Sequence, residues 1–293
     1  GTASLTKDTD FTVDYSNNTN AGTATVTITG KGNYTGTATK TFTISRQSLA
    51  KATVTLKTTS CTYNGSAQEP TVSSVKLSGT TLTKDTDYKV SYSNNTNAGT
   101  ATVTITGKGN YTGTASATFT ISPKTVTPAI SLAKTAYVYN KKVQKPGTVV
   151  TADGKTLTKD VDYTVTYSGN HKAIGQYKAT VTLKGNYSGS GSVSFKINPK
   201  GTTVSKVTPG KKTATVKWKK QASQTTGYQI QYSLNKKFKG AKTITIAKPK
   251  TVSTKIKKLT SKKTYYIRIR TYKKVGKKTY YSEWSAVKKV KVK

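Results

Sequence analysis

The sequence predicts an all-β chain: small two-sheet sandwiches set in tandem as an extended rod. Three observations carry this. A 23-residue stretch, Ser16 to Ala38, recurs unchanged from Ser93 to Ala115. Within each copy apolar and polar side chains alternate at period two, as in Tyr88, Val90 and Tyr92 against Lys89, Ser91 and Ser93. Asn-Asn, Asn-Ala-Gly and Gly-Lys-Gly-Asn clusters separate these runs, and Gly and Asn accept the positive φ that turns require. No segment sustains a 3.6-residue period with caps, so almost no helix is expected.

The repeat sets the boundaries. Leu5–Asp10 (LTKDTD) recurs at Leu82–Asp87, an offset of 77 residues, and a diverged copy runs from Leu157 through Gly185-Asn186-Tyr187 to Ile197. This gives a half-module at 1–45, modules at 46–122 and 123–199, and a different domain at 200–293. The links Ser45-Arg46-Gln47, Ser122-Pro123-Lys124 and Asn198-Pro199-Lys200 are too short to allow much bending. Leu5 aligns with Leu82, so residues 1–45 have no counterpart of 47–77. Core positions such as Val26, Ile28 and Phe42 would then lie bare. The expectation is that upstream sequence, a neighbouring copy or domain exchange completes this half, so self-association through the incomplete first module is one expected partner mode.

Composition narrows the function classes. The 293 residues include 49 Lys and Arg but only ten acids, one His and one Cys. Residues 201–293 hold 27 of the basic side chains and a single acid, Glu283. A charge so one-sided implies a polyanionic partner, with wall polymers, anionic glycans, nucleic acid and membrane surfaces as the classes. Lys greatly outnumbers Arg and no base-reading motif appears, so specific nucleic-acid binding is not expected. No run of eighteen apolar residues exists, so no membrane span is expected. The absence of an initiator Met and a signal peptide suggests a processed chain or a piece of a longer one. Cys61, in a strand-like setting, reads as a small core filler.

The motif KDxDYxVxY, then Gly-Asn-Tyr-Thr/Ser-Gly, then a closing TFTI or SFKI resembles the immunoglobulin-like repeats, MBG-type among them, of Gram-positive (clostridial) extracellular and cell-surface proteins. The resemblance covers residues 1–199 and implies spacer, stalk or adhesin roles, with no catalytic residue and possible host surface ligands. Residues 200–293 resemble a fibronectin type III module. Trp218 stands as the core Trp of the second strand, and Leu259 to Tyr265 as the corner whose Tyr265 hydroxyl bonds back to the backbone. Tyr265, Ile267 and Ile269 should point inward; Tyr266, Arg268, Arg270 and Tyr272 should point outward. Tyr281-Ser282-Glu283-Trp284-Ser285 resembles a Trp-Ser box, which implies that Arg268 and Arg270 stack on Trp284. The location implied is extracellular.

Chemistry is hard to find. His171 reads as an exposed loop side chain with no nucleophile or carboxylate patterned around it. No enzymatic activity and no cofactor are expected. The pairs Asp8/Asp10, Asp85/Asp87 and Asp160/Asp162 recur at one place in each copy. They read as turn organisers, with Asp85, Asp87, Asp160 and Asp162 as weak calcium candidates, since two carboxylates are few for a six- to eight-oxygen site. A Lys–Asn isopeptide crosslink would need Lys84 or Lys159 buried beside Asn110 or Asn186 and an acid. The Gly-Asn-Tyr turns read as structural, with exposed sugar-stacking platforms as the alternative.

The lysines Lys211, Lys212, Lys257, Lys258, Lys273, Lys274, Lys277 and Lys278 fall mostly at turns, and are the candidates for contact with an anionic cell-wall polymer or glycan. The functional expectation is a non-catalytic structural or adhesive module array with a basic end. The alternative is the accessory region of a secreted enzyme.

Overall fold

The computed structural model describes residues 3–293. All the regular structure is β, apart from one 3-10 turn at Leu49–Lys51. The chain divides into two compact units: residues up to Thr125 together with Gly185–Ser188, and residues 126–184 with 189–293.

In the first unit, residues 46–122 form a complete sandwich. One sheet runs in the order Ser60–Thr62, Thr114–Ser122, Gly99–Gly107, Tyr88–Ser93, and the other is Thr53–Leu56, Val72–Leu77, Thr80–Thr81. The alternation sends Ala101, Val103, Ile105, Phe119 and Ile121 inward against Leu56, Val75 and Leu77, while the intervening threonines face water. Cys61 packs at the edge of this core, opposite Ile121.

The first copy repeats half of this. Phe11–Ser16, Gly22–Gly30 and Thr37–Ile44 form a three-stranded sheet. Its register, with Gly22 opposite Ile44 and Ala24 opposite Phe42, is that of Gly99 with Ile121 and Ala101 with Phe119. No second sheet lies over it among the described residues.

Each Asp pair builds one turn. Asp8, Asp85 and Asp160 hold φ of 66°, 65° and 65°, a left-handed conformation that Asp tolerates better than most residues. Two residues on, a carboxylate oxygen accepts the backbone N–H of Thr6, Thr83 or Thr158 at 2.7–2.8 Å. The carbonyls of Asp10, Asp87 and Asp162 then accept the N–H of Lys31, Lys108 and Lys184, each at 2.8 Å. The pair thereby ties the start of one strand to the Gly-Asn-Tyr turn that closes the next.

That turn has a second task. Gly107 is required there, because a Cβ would lie 2.6 Å from the backbone nitrogen of Thr112. The Asn110 carbonyl accepts the N–H of Gln47 at 2.8 Å, and the short linker strand Gln47–Ser48 runs parallel to Tyr111–Thr112. The Asn110 side chain reaches the first copy. Its Oδ1 accepts from the Ala21 N–H at 2.8 Å, and its Nδ2 donates to Asn20 Oδ1 at 2.9 Å. Asn186 does the same one copy later. Its carbonyl takes the Lys124 N–H at 3.0 Å, and its amide bridges the Ala98 N–H and Asn97 Oδ1 at 2.7 and 2.9 Å. An Asn clamp thus joins a Gly-Asn-Tyr turn to an Asn-Ala-Gly loop.

In the second unit, strands of the third copy form sheets in the order Ala129–Leu132, Thr148–Ala152, Lys155–Thr156 and Ala136–Val138, Ser190–Asn198, Gly175–Leu183, Tyr163–Tyr167. His171 does not stand free, contrary to the expectation. It is half-buried at φ 32°, with its ring 5.5 Å from that of Tyr167 and 6.4 Å from that of Tyr177. The C-terminal domain pairs Val204–Gly210, Thr213–Trp218 and Ser253–Ile256 in one sheet. Lys242–Ile246, Gly227–Ser233, Thr264–Val275 and Lys278–Tyr281 form the other, with Lys288–Lys291 on the far edge of Thr264–Val275. Trp218, Tyr228, Ile230, Ile256, Ile267 and Ile269 are among its core residues.

Candidate polyanion interface

Three chain segments meet at one end of the C-terminal domain. The turn at Lys211–Lys212 accepts the Leu259 N–H on the Lys212 carbonyl, and the Lys212 N–H donates to the Lys293 carbonyl, both at 3.0 Å. The Lys262 N–H donates to the Val292 carbonyl, and the Val292 N–H to that of Lys263, again at 3.0 Å. The Ser261 hydroxyl adds a bond to the Lys293 carbonyl at 3.0 Å. These bonds gather Lys211, Lys212, Lys257, Lys258, Lys262, Lys263 and Lys293 at one tip, and all seven side chains are exposed.

Beside the tip lies a cleft of about 530 Å³, lined by Tyr232, Lys239, Lys242, Lys257, Lys258 and Tyr265 among others. Aromatic walls with ammonium groups at the rim suit an anionic, partly apolar chain such as a substituted polyol or sugar. Burial, with help from Tyr265, raises the Tyr232 phenol above its ordinary value, so Tyr232 stays neutral through the physiological range.

The cluster includes an unfavourable backbone choice. Lys212, Lys258 and Lys262 hold φ of 52°, 59° and 61°. Gly or Asn takes such positions with less strain, and the repeats use them freely in their own turns. Here lysine stands instead.

The remaining four predicted lysines lie elsewhere. Lys273, Lys274, Lys277 and Lys278 form the hairpin at the opposite end of Thr264–Val275. That strand has 12 residues, which separates the two groups by about 35–40 Å. Lys278 Nζ donates to Gln176 Oε1 at 3.2 Å. The eight lysines therefore make two patches, not one. Lys262, Lys263 and Lys293 belong to the first, though they were not among the sequence candidates. Only the backbone bonds between distant segments bring them in.

Between the patches runs a ladder of rings and guanidinium groups. The Arg268 carbon lies 4.0 Å from the Phe238 ring centroid and 4.7 Å from that of Trp284. Arg270 lies 4.4 Å from Trp284 and 3.9 Å from Tyr281. Gln231 Oε1 accepts from Nε and Nη2 of Arg268 at 2.9 and 2.6 Å, and Gln229 Oε1 from those of Arg270 at 3.0 and 2.7 Å. Burial lowers the pKa of both arginines, and for Arg270 the neighbouring Arg268 adds to this. Ser282 and Ser285 accept the Thr271 and Ile269 N–H at 3.1 and 3.0 Å, which holds the Trp-Ser segment along the strand. With their forks committed to glutamine, these arginines act structurally. Phe238, Gln229 and Gln231 carried no sequence signal for this role. Tyr272, expected to point outward into water, is 3% exposed because Tyr281 covers it with ring centroids 6.3 Å apart. Tyr265 donates toward Thr260 Oγ1 and accepts the Thr260 N–H at 3.1 Å, which closes the corner. Trp218 packs on Tyr228 at 5.3 Å.

The other candidates do not converge on a reactive centre. Among the described residues no three His, Cys, Asp or Glu side chains gather in a metal-binding group. Asp87 and Asp162 spend a carboxylate oxygen on the turn. Lys84 and Lys159 are exposed, as is Asn110, so the buried trio a crosslink needs is not assembled. The three Gly-Asn-Tyr rings differ in exposure: Tyr34 is 41% exposed and Tyr187 is 4%.

Serial two-sheet sandwiches, the last carrying an arginine ladder on its outer face, define a modular β-sandwich protein of the immunoglobulin and fibronectin type III kind. The family model for the MBG domain matches residues 52–125 and 128–201, just over half of the chain, and that for the fibronectin type III domain matches 198–288. The chain belongs to the MBG-domain family, with a C-terminal fibronectin type III domain. Among solved structures it is similar to domains A168–A170 of titin (13% identity, 82% of this chain and 98% of that one, TM-score 0.26). It is also similar to the FN1–FN3 domains of chicken CNTN1 (15%, 66% and 75%, TM-score 0.27) and to a chain titled "Myokine structure" (18%, 31% and 94%, TM-score 0.26). No curated protein matches. MBG and fibronectin type III repeats are typical of extracellular proteins, and no helix among the described residues is long and apolar enough to cross a membrane.

Proposed function

We propose that this chain is a non-catalytic module array of a Gram-positive cell surface, whose fibronectin type III domain associates with an anionic wall polymer or glycan through the tip built by Lys211, Lys212, Lys257, Lys258, Lys262, Lys263 and Lys293. The observation that carries the reading is the convergence of seven exposed lysines from three segments, three of them at left-handed backbone positions. Strain kept at one spot fits selection for what the side chains do there. Mutual repulsion among seven ammonium groups is likewise offset when a polyanion lies across them. The MBG modules serve as spacers that present or distance other parts of the surface protein, and the hydroxyl-rich outer faces suit that role.

Binding to cell-wall preparations tests this. The full chain is expected to sediment with walls that retain their phosphate-bearing polymers, and to stay in solution once these are stripped. Release should follow added salt steeply, because each lysine contact frees a counterion. Equal sedimentation with stripped, neutral peptidoglycan would contradict the proposal.

A further inference from the structure

Residues 16–38 and 93–115 are one sequence in two environments. In the second copy Ala101, Val103 and Ile105 are 0% exposed and Phe119 is 2%. In the first, Ile28 is 39% and Phe42 43% exposed, although strand pairing and register are the same. What differs is the sheet of residues 53–81, which lies only on the second copy. The Asn clamp differs in parallel. Asn110 and Asn186 each engage a linker N–H and an Asn-Ala-Gly loop, whereas among the described residues the Asn33 side chain has no hydrogen-bond partner.

We propose that the bare face of the first copy and the turn at Asn33 form one acceptor site, and that its occupant is a polypeptide segment with the pattern of residues 46–81. The second copy supplies the geometry, shifted by 77 residues. The N–H of the residue matching Gln47 goes to the Asn33 carbonyl, and that short strand runs parallel to Tyr34 and Thr35. A strand matching Ser60–Thr62 runs parallel to Thr43, Ile44 and Ser45. Side chains matching Leu56, Val75 and Leu77 cover Val26, Ile28 and Phe42. The interface is thus one that the chain already makes, one copy along. A second copy of this chain is a poor occupant. Its own residues 46–81 already cover its residues 82–122, and exchanging them moves the vacancy without filling it. The occupant is a segment of this type with no acceptor face of its own.

The test uses the full chain and a synthetic peptide of residues 46–81 carrying Cys61→Ser. One peptide should bind per chain. Amide exchange in Phe11–Ser16 and Thr39–Ile44, whose sequences differ from their second-copy counterparts, should slow toward the rates of that copy. Phe42→Lys, at an exposed site that leaves the free chain folded, should abolish binding, and Asn33→Ala should weaken it about tenfold. Absence of protection, or peptide binding untouched by Phe42→Lys, would overturn the proposal. So would dimerisation of the peptide-free chain that Phe42→Lys removes, since it would make a second copy the occupant.

Discussion

At the scale of single residues, the left-handed lysines separate fold from function. Replacing Lys212, Lys258 and Lys262 together with Asn relieves backbone strain and removes three charges. The thermal midpoint should stay level or rise by a few degrees, since each site gains up to about 1 kcal/mol, while polyanion affinity falls at least tenfold. A calorimetric scan and a binding isotherm on the same variant check both halves. Buried phenols set the alkaline limit. Burial raises Tyr88, Tyr92, Tyr137, Tyr167, Tyr177, Tyr232 and Tyr272 above the ordinary value of 10.0. A raised folded-state value favours the neutral form, so this stability is complete below pH 10 and is lost as pH climbs through the folded values. Unfolding temperatures should be flat from pH 7 to 9 and drop beyond 10, in step with the phenolate absorbance. Much at this scale was legible in the sequence. Arg268, Arg270 and Trp284 share parity on neighbouring strands, and the Trp-Ser resemblance pointed to their stack. Phe238 and the two glutamines were not legible, because their place depends on strand register across more than thirty residues. His171 was misread for a similar reason: Tyr167 and Tyr177 reach it from flanking strands, and a polar turn in the sequence does not show its neighbours.

At the scale of elements, the recurring Asp pair and the Gly-Asn-Tyr turn are two parts of one device. The Asp pair positions the turn, and the turn's Asn grips the loop of the copy before it. Asn110→Ala should leave the second-copy sandwich intact but free the Ala21 amide, whose hydrogen exchange should quicken about tenfold, the equivalent of roughly 1.4 kcal/mol. The third copy fits this logic. Its loop reads Ser168-Gly169-Asn170-His171-Lys172 in place of Asn-Asn-Thr-Asn-Ala, and the fibronectin type III domain that follows carries no Gly-Asn-Tyr turn. The sandwich elements were legible from period-two alternation and the 77-residue repeat. The clamp was not, because Asn20 and Asn110 lie 90 residues apart and each alone reads as an ordinary turn residue. The arginine ladder is an element of the same kind. Trp284→Ala removes two cation–π stacks and should destabilise the C-terminal domain by about 1–2 kcal/mol without weakening polyanion binding, a contrast that chemical denaturation and titration can show.

At the scale of the whole molecule, charge is the organising quantity. The formal net charge of +39 is concentrated after residue 200, where 27 basic side chains face one acid. Composition alone predicted an anionic partner class but treated the lysine pairs as equivalent. Folding distinguishes them by sending one set to the tip and the other to the far hairpin. Lysine acetylation footprinting of the full chain, with and without a phosphate-bearing wall polymer at moderate salt, tests this division most directly. The account predicts protection at Lys211, Lys212, Lys257, Lys258, Lys262 and Lys263, and little change among the lysines of residues 1–200. Even protection across every exposed lysine of the chain, or none at the tip, would contradict it.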